Sequence, residues 1–402
     1  MTQIGGKTKQ QVLDSLHLMT SGVQAIELNE YQQRIDKACQ LMQQQGIDAL
    51  YLNAGTNLSY FTGTVWYASE RLVGAVLTAQ GRLNYISPVF EIPTLAGYQQ
   101  VKAEVLGWHE HENPYQLLLT SVKQLCGKET VVLALDDSSA FFIFEGLRQV
   151  DPLQQIVSGK TVTQGCRAQK SAAEIAIMQR AMDMTLEVHK AVASILYDGI
   201  STAEVEAFID EAHRKVGASG SYFCIVLFGP DSAYPHGVKQ PKNLQAGDMV
   251  LIDTGCRLLG YVSDITRSYV FGQASERQRQ IWSIEKQAQA AAFNQAQLGT
   301  ACGLVDAAAR NVIQQHGLGP DYQLPGLPHR TGHGIGMDIH EGPYLVRSEH
   351  TPLATGMCFS NEPMICVPGE FGVRLEDHFY MTTEGPRWFT EPAVSIEQPF
   401  PF

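Results

Sequence analysis

Two acidic residues embedded in apolar sequence constrain this chain more than any other feature. Asp253 follows the run Met249-Val-Leu-Ile252, and Asp264 lies at the same distance on the other side of the Leu258-Leu259 step. A β-hairpin turning at those two leucines would set the carboxylates directly opposite, with Cβ atoms about 4.5–5.5 Å apart. Like charges so placed repel, and a carboxylate behind four apolar residues is costly to bury without a partner. A cation between them removes both objections. Glu362 and Glu376 repeat the design around Gly369, in the turn sequence Pro368-Gly369-Glu370. Any one of these acids alone would be read as a surface group or an ion-pair partner. Four of them in paired geometry favour metal.

The pairing belongs to a wider internal repeat. Gly199-Ile-Ser-Thr-Ala-Glu-Val205-Glu206-Ala207 aligns with Gly299-Thr-Ala-Cys-Gly-Leu-Val305-Asp306-Ala307, Leu244-Gln-Ala-Gly247 aligns with Leu353-Ala-Thr-Gly356, and Asp253 aligns with Glu362. Each half reads as two helices followed by a hairpin. Ser171-Ala-Ala-Glu174 and Ser201-Thr-Ala-Glu204 are capping boxes that open two of these helices. A duplication of this kind places two hairpins face to face around a pseudo-twofold axis.

Histidine completes the set. The segment Pro328-His329-Arg-Thr-Gly332-His333-Gly334-Ile-Gly336-Met-Asp-Ile-His340-Glu341 carries three histidines among glycines that disfavour a helix. It is therefore not a helical zinc motif, and no His-Glu-x-x-His occurs. Glycines beside His333 are expected to let backbone approach a ligand closely. Four carboxylates and one imidazole form a hard, oxygen-rich donor set suited to Mn²⁺, Fe²⁺, Co²⁺ or Zn²⁺. Four carboxylates exceed the needs of one ion but suit two ions about 3.5–4 Å apart, a pair that generates hydroxide at neutral pH and stabilises a tetrahedral oxyanion.

The first 150 residues alternate helices and strands, with Ala49–Leu52, Leu72–Ala79, Arg82–Ser87 and Val131–Leu135 as strands, predicting an α/β domain with a mixed sheet. A linker is expected near Val157–Gln169. The expected domains are residues 1–160 and 161–402. A chain of 402 residues with a charged share of only 17% folds around a large core. A net charge of −12 argues against nucleic-acid or anionic-membrane binding. No secretory signal or membrane span is visible, and eight scattered cysteines without a Cys-x-x-Cys pair suit a reducing cytoplasm.

These residues resemble the metal-dependent pita-bread peptidases, and within them the Xaa-Pro dipeptidases (prolidases) and Xaa-Pro aminopeptidases. The resemblance rests on Leu251-Ile-Asp253-Thr-Gly, Ser263-Asp264-Ile-Thr-Arg, His329-Arg-Thr-Gly-His333-Gly-Ile-Gly, Asn361-Glu362-Pro363 and Arg374-Leu-Glu376-Asp. Asn57-Leu-Ser-Tyr60-Phe61-Thr-Gly63 with Glu70-Arg71 resembles the creatinase-like N-terminal domain of the same proteins. The resemblance implies an α/β (α+β) chain, a creatinase-like domain followed by a pita-bread catalytic domain.

It also implies roles. Asp253 would chelate one ion, His333 and Glu362 the other, and Asp264 and Glu376 would bridge. Glu362 would carry the proton from the attacking water to the leaving nitrogen. His236, in Tyr234-Pro235-His236-Gly237, would contact substrate, His340 would hydrogen-bond the scissile carbonyl or oxyanion, and His329 would line the proline side of the pocket. Arg374 would stand behind the ligands and hold one of their carboxylates. The implied cofactor is two divalent ions, Mn²⁺ first, with Co²⁺, Fe²⁺ or Zn²⁺ as alternatives. The implied substrate is a small peptide, foremost an Xaa-Pro dipeptide, and the implied assembly a homodimer. An Xaa-Pro aminopeptidase, a same-fold hydrolase of an ectoine- or creatine-like amide, and a non-catalytic binding module are the competing readings. His378 is expected to be structural, Arg257 solvent-facing, His109 and His111 part of a solvated loop, and Phe61, Trp66 and Tyr67 core residues.

Overall fold

Ala49–Asn53 is buried along its whole length, as a strand covered on both faces must be, and it lies inside a six-stranded mixed sheet. The computed structural model describes residues 4–400. The sheet order is Glu104–Trp108, Leu83–Pro88, Gly74–Thr78, Ala49–Asn53, Val132–Leu135, Gln155–Ser158. Ala49–Asn53 pairs antiparallel with Gly74–Thr78 and parallel with Val132–Leu135. Leu28–Gln45 is a helix stopped by Gly46, whose φ of 66° is the left-handed conformation glycine adopts without a Cβ penalty. Leu118, Val122, Ile143 and Leu147 from two further helices cover Val76, Ile86 and Leu133. Each such fully buried aliphatic side chain contributes about 1.5–3 kcal/mol.

The segment expected to be a linker is ordered: Gln155–Ser158 is a strand and Lys160–Arg167 a helix burying Val162 and Cys166. Only two apolar positions one turn apart mark that helix, too few to reveal a period. Contacts divide the chain into Ile26–Arg167 and a second unit of residues 4–25 with Ala168–Phe400. The expected boundary at residue 160 falls at the start of the Lys160–Arg167 helix, which packs with Leu28–Gln45 in the first unit.

In the second unit both sequence-read capping boxes are formed. Ser171 and Glu174 open Ala172–Ile195, and Ser201 and Glu204 open Thr202–Val216. Glu276–Gln295 and Cys302–Gln315 make the second helix pair. Matched contacts recur in the two halves. Gly199 N donates to Leu244 O at 2.7 Å, and Gly299 N to Leu353 O at 2.8 Å; Leu244 N and Leu353 N return bonds to Ile200 and Thr300. Ile281, Trp282, Ala288 and Val305 pack under Leu251, Phe359, Val373 and Phe379, so the helices form a floor beneath the strands that carry the acids.

Those strands form a sheet ordered Ile265–Val270, Met249–Leu258, Ser221–Phe228, and a second ordered Glu341–Leu345, Gly332–Gly334, Cys358–Asn361, Asp377–Thr382, Gly385–Trp388. The first hairpin turns at Leu259-Gly260, not at Leu258-Leu259. Both turn residues have positive φ, 47° and 91°, as a two-residue turn of this hand requires, and glycine takes the second position without strain. The partner of Asp253 is consequently Thr266 and not Asp264. The second hairpin keeps the register read from sequence. Met364 pairs with Arg374, and Asn361 with Asp377, so Glu362 and Glu376 fall opposite one another at the break between two ladders of one register.

Candidate metal centre

Each acidic side chain sits where a ladder is interrupted or crowded. Asp253 is on a central strand between Ile225 and Thr266. Asp264 occupies the gap between Tyr261–Val262 and Ile265–Val270. The backbone there is so close that a Cβ on Gly255 would lie 1.8 Å from Ser263 O. Thr266 joins the two hairpins: Glu376 N donates to Thr266 O at 3.1 Å, and the Thr266 hydroxyl donates to Glu376 Oε2 at 2.6 Å. Asp253, Asp264, His333 and Glu376 are buried.

His333 lies on the short strand Gly332–Gly334. Its glycine neighbours serve strand packing and not ligand approach. A Cβ on Gly332 would meet Ser360 O at 2.1 Å, and one on Gly334 would meet Glu341 O at 2.4 Å. His333 Nδ1 is 3.0 Å from Gly334 O. A carbonyl only accepts, so Nδ1 carries the proton and Nε2 presents a lone pair. That lone pair faces Glu362 Oε1 at 3.2 Å and Asp264 Oδ2 at 3.6 Å. Three acceptors turned on one another repel unless a proton or a cation lies between them.

The electrostatics agree. Burial, then Glu376 and Asp253, holds the Asp264 carboxyl well above the usual range; burial, then Glu362 and Asp253, does the same for Glu376. Burial brings Glu362 to about 7 against the opposing pull of Arg374. Burial drives His333 well below its usual value. Without cations the site therefore prefers protonated acids and a neutral imidazole. Two unit charges 4 Å apart repel by about 4 kcal/mol at an effective dielectric of 20, and divalent ions turn that repulsion into attraction. Asp253 Oδ1, Asp264 Oδ1 and Glu376 Oε1 are buried with no hydrogen-bond partner. Orphaned acceptors around a lone pair are what a cation site requires, so these residues fit a metal centre. Arg374 offsets part of the charge by donating to Asp253 Oδ2 and, at 3.1 Å, to Thr266 Oγ1.

Of the acids, Glu362 lines a cavity of about 460 Å³, within the range of small-molecule sites. His236, His329 and His340 all line it, together with Glu362 and Arg374. His329 Nδ1 lies 2.7 Å from Arg330 O, its Nε2 is buried without a partner, and burial with the nearby Arg374 lowers its pKa to about 4. It is a neutral acceptor. The His340 ring stands edge-on to His333, centroids 4.2 Å apart.

Sequence reasoning missed two residues here. Arg330 lines the cavity, stacks on Tyr344 with its guanidinium 4.4 Å from the ring centroid, and has no ion pair among the described residues. Its place beside His329 in the motif was the available signal. His378 was read as structural, yet its ring joins Asp264, His333 and Glu376. It follows Glu376 by two, and side chains two apart on a strand share a face. Arg257 is also not the free surface residue expected: it stacks on Tyr222, 4.5 Å from the centroid. Phe61 is buried as expected, but Tyr67 is 80% exposed.

Two family models cover these parts. Residues 34–169 match the creatinase/prolidase N-terminal domain, and residues 176–383 match metallopeptidase family M24. The chain belongs to metallopeptidase family M24. This M24 protein is 33% identical to the probable dipeptidase PepE of Mycobacterium tuberculosis across 90% of its own length and 95% of that protein's. It is 29% identical to the Xaa-Pro dipeptidase of Pyrococcus furiosus across 89% and 98%. The crystal structure of dipeptidase PepE from Mycobacterium ulcerans superposes with a TM-score of 0.84 at 33% identity, covering 92% and 97% of the two chains. Prolidase from Thermococcus sibiricus does so with a TM-score of 0.82 at 30%, covering 92% and 98%. The M24 assignment makes the chain a metal-dependent peptidase of the dipeptidase and prolidase type and fits the buried carboxylate and histidine cluster. No helix among the described residues is long and apolar enough to cross a membrane.

Proposed function

We propose that this protein is a dinuclear Xaa-Pro dipeptidase. One observation carries the dipeptide reading: Arg330, a guanidinium with no ion pair among the described residues, lines the same cavity as Glu362. A dipeptide bound with its scissile carbonyl over the acids has a free carboxylate one residue away, and a guanidinium is the side chain best shaped to receive it. An aminopeptidase substrate continues as a chain at that point. The relatives named dipeptidases support the same choice.

Asp253, Asp264, His333, Glu362 and Glu376 would hold two divalent ions, which supply a nucleophile at neutral pH and polarise the scissile carbonyl. Mn²⁺ is our first choice of ion. Glu362, with a pKa near neutrality in the metal-free protein, accepts the proton of the attacking water and delivers it to the leaving nitrogen. That nitrogen belongs to proline, has no N–H of its own, and leaves as an amine only once protonated. His340 donates to the carbonyl oxygen as charge develops on it. His236 contacts the substrate, and His329 Nε2, without a partner among the described residues, accepts a hydrogen bond on the proline side. Arg374 keeps Asp253 oriented. We further propose a cytoplasmic homodimer acting on small peptides and not on nucleic acid or membranes.

The test is product analysis by mass spectrometry on metal-stripped and Mn²⁺-loaded protein. The panel is Xaa-Pro dipeptides, Xaa-Pro-Xaa tripeptides, non-proline dipeptides and ectoine- or creatine-like amides. Metal-dependent release of proline from dipeptides alone is the expected result. Cleavage of the tripeptides would make it an aminopeptidase, and turnover of the non-peptide amides alone would overturn the substrate assignment.

A further inference from the structure

His378 is fully buried; its ring lies against the Asp264 backbone, which offers one loose hydrogen bond, and neither ring nitrogen makes a well-formed one among the described residues. Leaving a buried polar group unmatched is costly, so an imidazole with at least one nitrogen unmatched calls for a reason. Its surroundings supply one. Donor atoms of Asp264, His333, Glu376 and His378 all lie within 4.8 Å of one another. His378 Nε2 is 4.0 Å from Glu376 Oε1, the one oxygen of that carboxylate that Thr266 does not occupy.

Distance decides whether one cation can serve this set. Two donors each about 2.1 Å from an ion are at most about 4.2 Å apart. The separations of 3.2 and 3.6 Å from His333 Nε2 to Glu362 and Asp264, and of 4.0 Å from His378 to Glu376, all fall inside that limit. The widest pair in the cluster needs to close by no more than about 0.6 Å. The loose bond to the Asp264 backbone accounts for at most one of the two ring nitrogens.

We propose that His378 is a metal ligand, a second imidazole on the cation held by His333. This rests on the metal centre proposed above and adds a sixth protein ligand to the five read from sequence. Two imidazoles with bridging carboxylates form a softer donor set than carboxylates with a single imidazole. Of the two metal positions, that one is then the more receptive to Zn²⁺, Co²⁺ or Fe²⁺.

The experiment loads metal-free protein with two equivalents of Zn²⁺ and counts imidazoles by X-ray absorption fine structure, in wild type and His378→Asn. Wild type should show about one imidazole per zinc on average, and the variant about half that. Chelator competition should show one of the two zinc affinities weakened at least tenfold in the variant. An average of half an imidazole per zinc in wild type overturns the assignment, as does an unchanged count and affinity in a folded variant. If His378→Asn does not fold, the wild-type count alone decides. Wild type that binds no zinc, Mn²⁺ or Co²⁺ overturns the metal centre itself and this inference with it.

Discussion

Arg374 Nη2 donates to Asp253 Oδ2 across 121 residues of chain, so the second acidic hairpin holds a carboxylate of the first. Both side chains are buried. Removing one partner of such a pair leaves an uncompensated charge in a poorly solvated site. Arg374→Met should lower the stability of the metal-free protein by about 3–5 kcal/mol, read from urea unfolding. A loss below about 1 kcal/mol would mean the pair does not hold the hairpins together.

Asp264 is the acid most crowded by other acids: Glu376, Asp253 and Glu362 all raise its pKa beyond what burial does. Asp264→Asn removes a buried carboxyl that metal, not the fold, requires. The metal-free variant should melt no lower than metal-free wild type at pH 8, while bound metal, measured by mass spectrometry, falls to one ion or fewer. Two ions retained with full activity would sink the bridging role.

Arg330 should separate dipeptides from longer substrates. Arg330→Met should raise KM for an Xaa-Pro dipeptide about 10–100-fold, the range of a lost charge-assisted hydrogen bond of about 1.5–3 kcal/mol, with bound metal unchanged. The corresponding dipeptide amide should respond little. Equal losses on acid and amide would show that the guanidinium does not read the carboxylate.

His213 gives a pH signature away from the acids. It is buried between Thr185 Oγ1 and Ser221 Oγ, 3.1 Å from each, and burial lowers its pKa to about 4. Unfolded, it titrates near about 6.5. Between these values the unfolded chain takes up a proton that the native state does not. Native stability from this residue is therefore complete above the unfolded value and is lost as pH falls toward 4. In the metal-free protein, wild type should lose about 1.4 kcal/mol per pH unit relative to His213→Gln across that window. Parallel pH profiles of the two proteins would contradict a neutral buried imidazole.

The donor types and their order along the chain were legible because each lies in a short local pattern. An acid behind an apolar strand and a histidine among glycines both announce buried polar chemistry. The second hairpin could be aligned because Pro368-Gly369 marks its turn. The first was misread by one turn position, because Leu259 adopts a left-handed φ that a leucine seldom accepts and only Gly260 hinted at it. His378 went unrecognised because a histidine on a strand is common, and which face it shares matters only once that face is known to meet metal ligands.

Local sequence by itself determined which residues could form the centre: the apolar strands, the capped helices, four acids at spacings that favour hairpins and a histidine among glycines. The tertiary structure decided what each donor meets. It set Asp253 against Thr266 and Arg374, turned the His333 lone pair toward Glu362 and Asp264, and placed Arg330 at the cavity wall, stacked on Tyr344. The physical reason is that side-chain period and turn propensity act over a few residues. Charge, desolvation and orphaned acceptors depend on neighbours a hundred residues away, and those exist only after the two hairpins have packed on their helices.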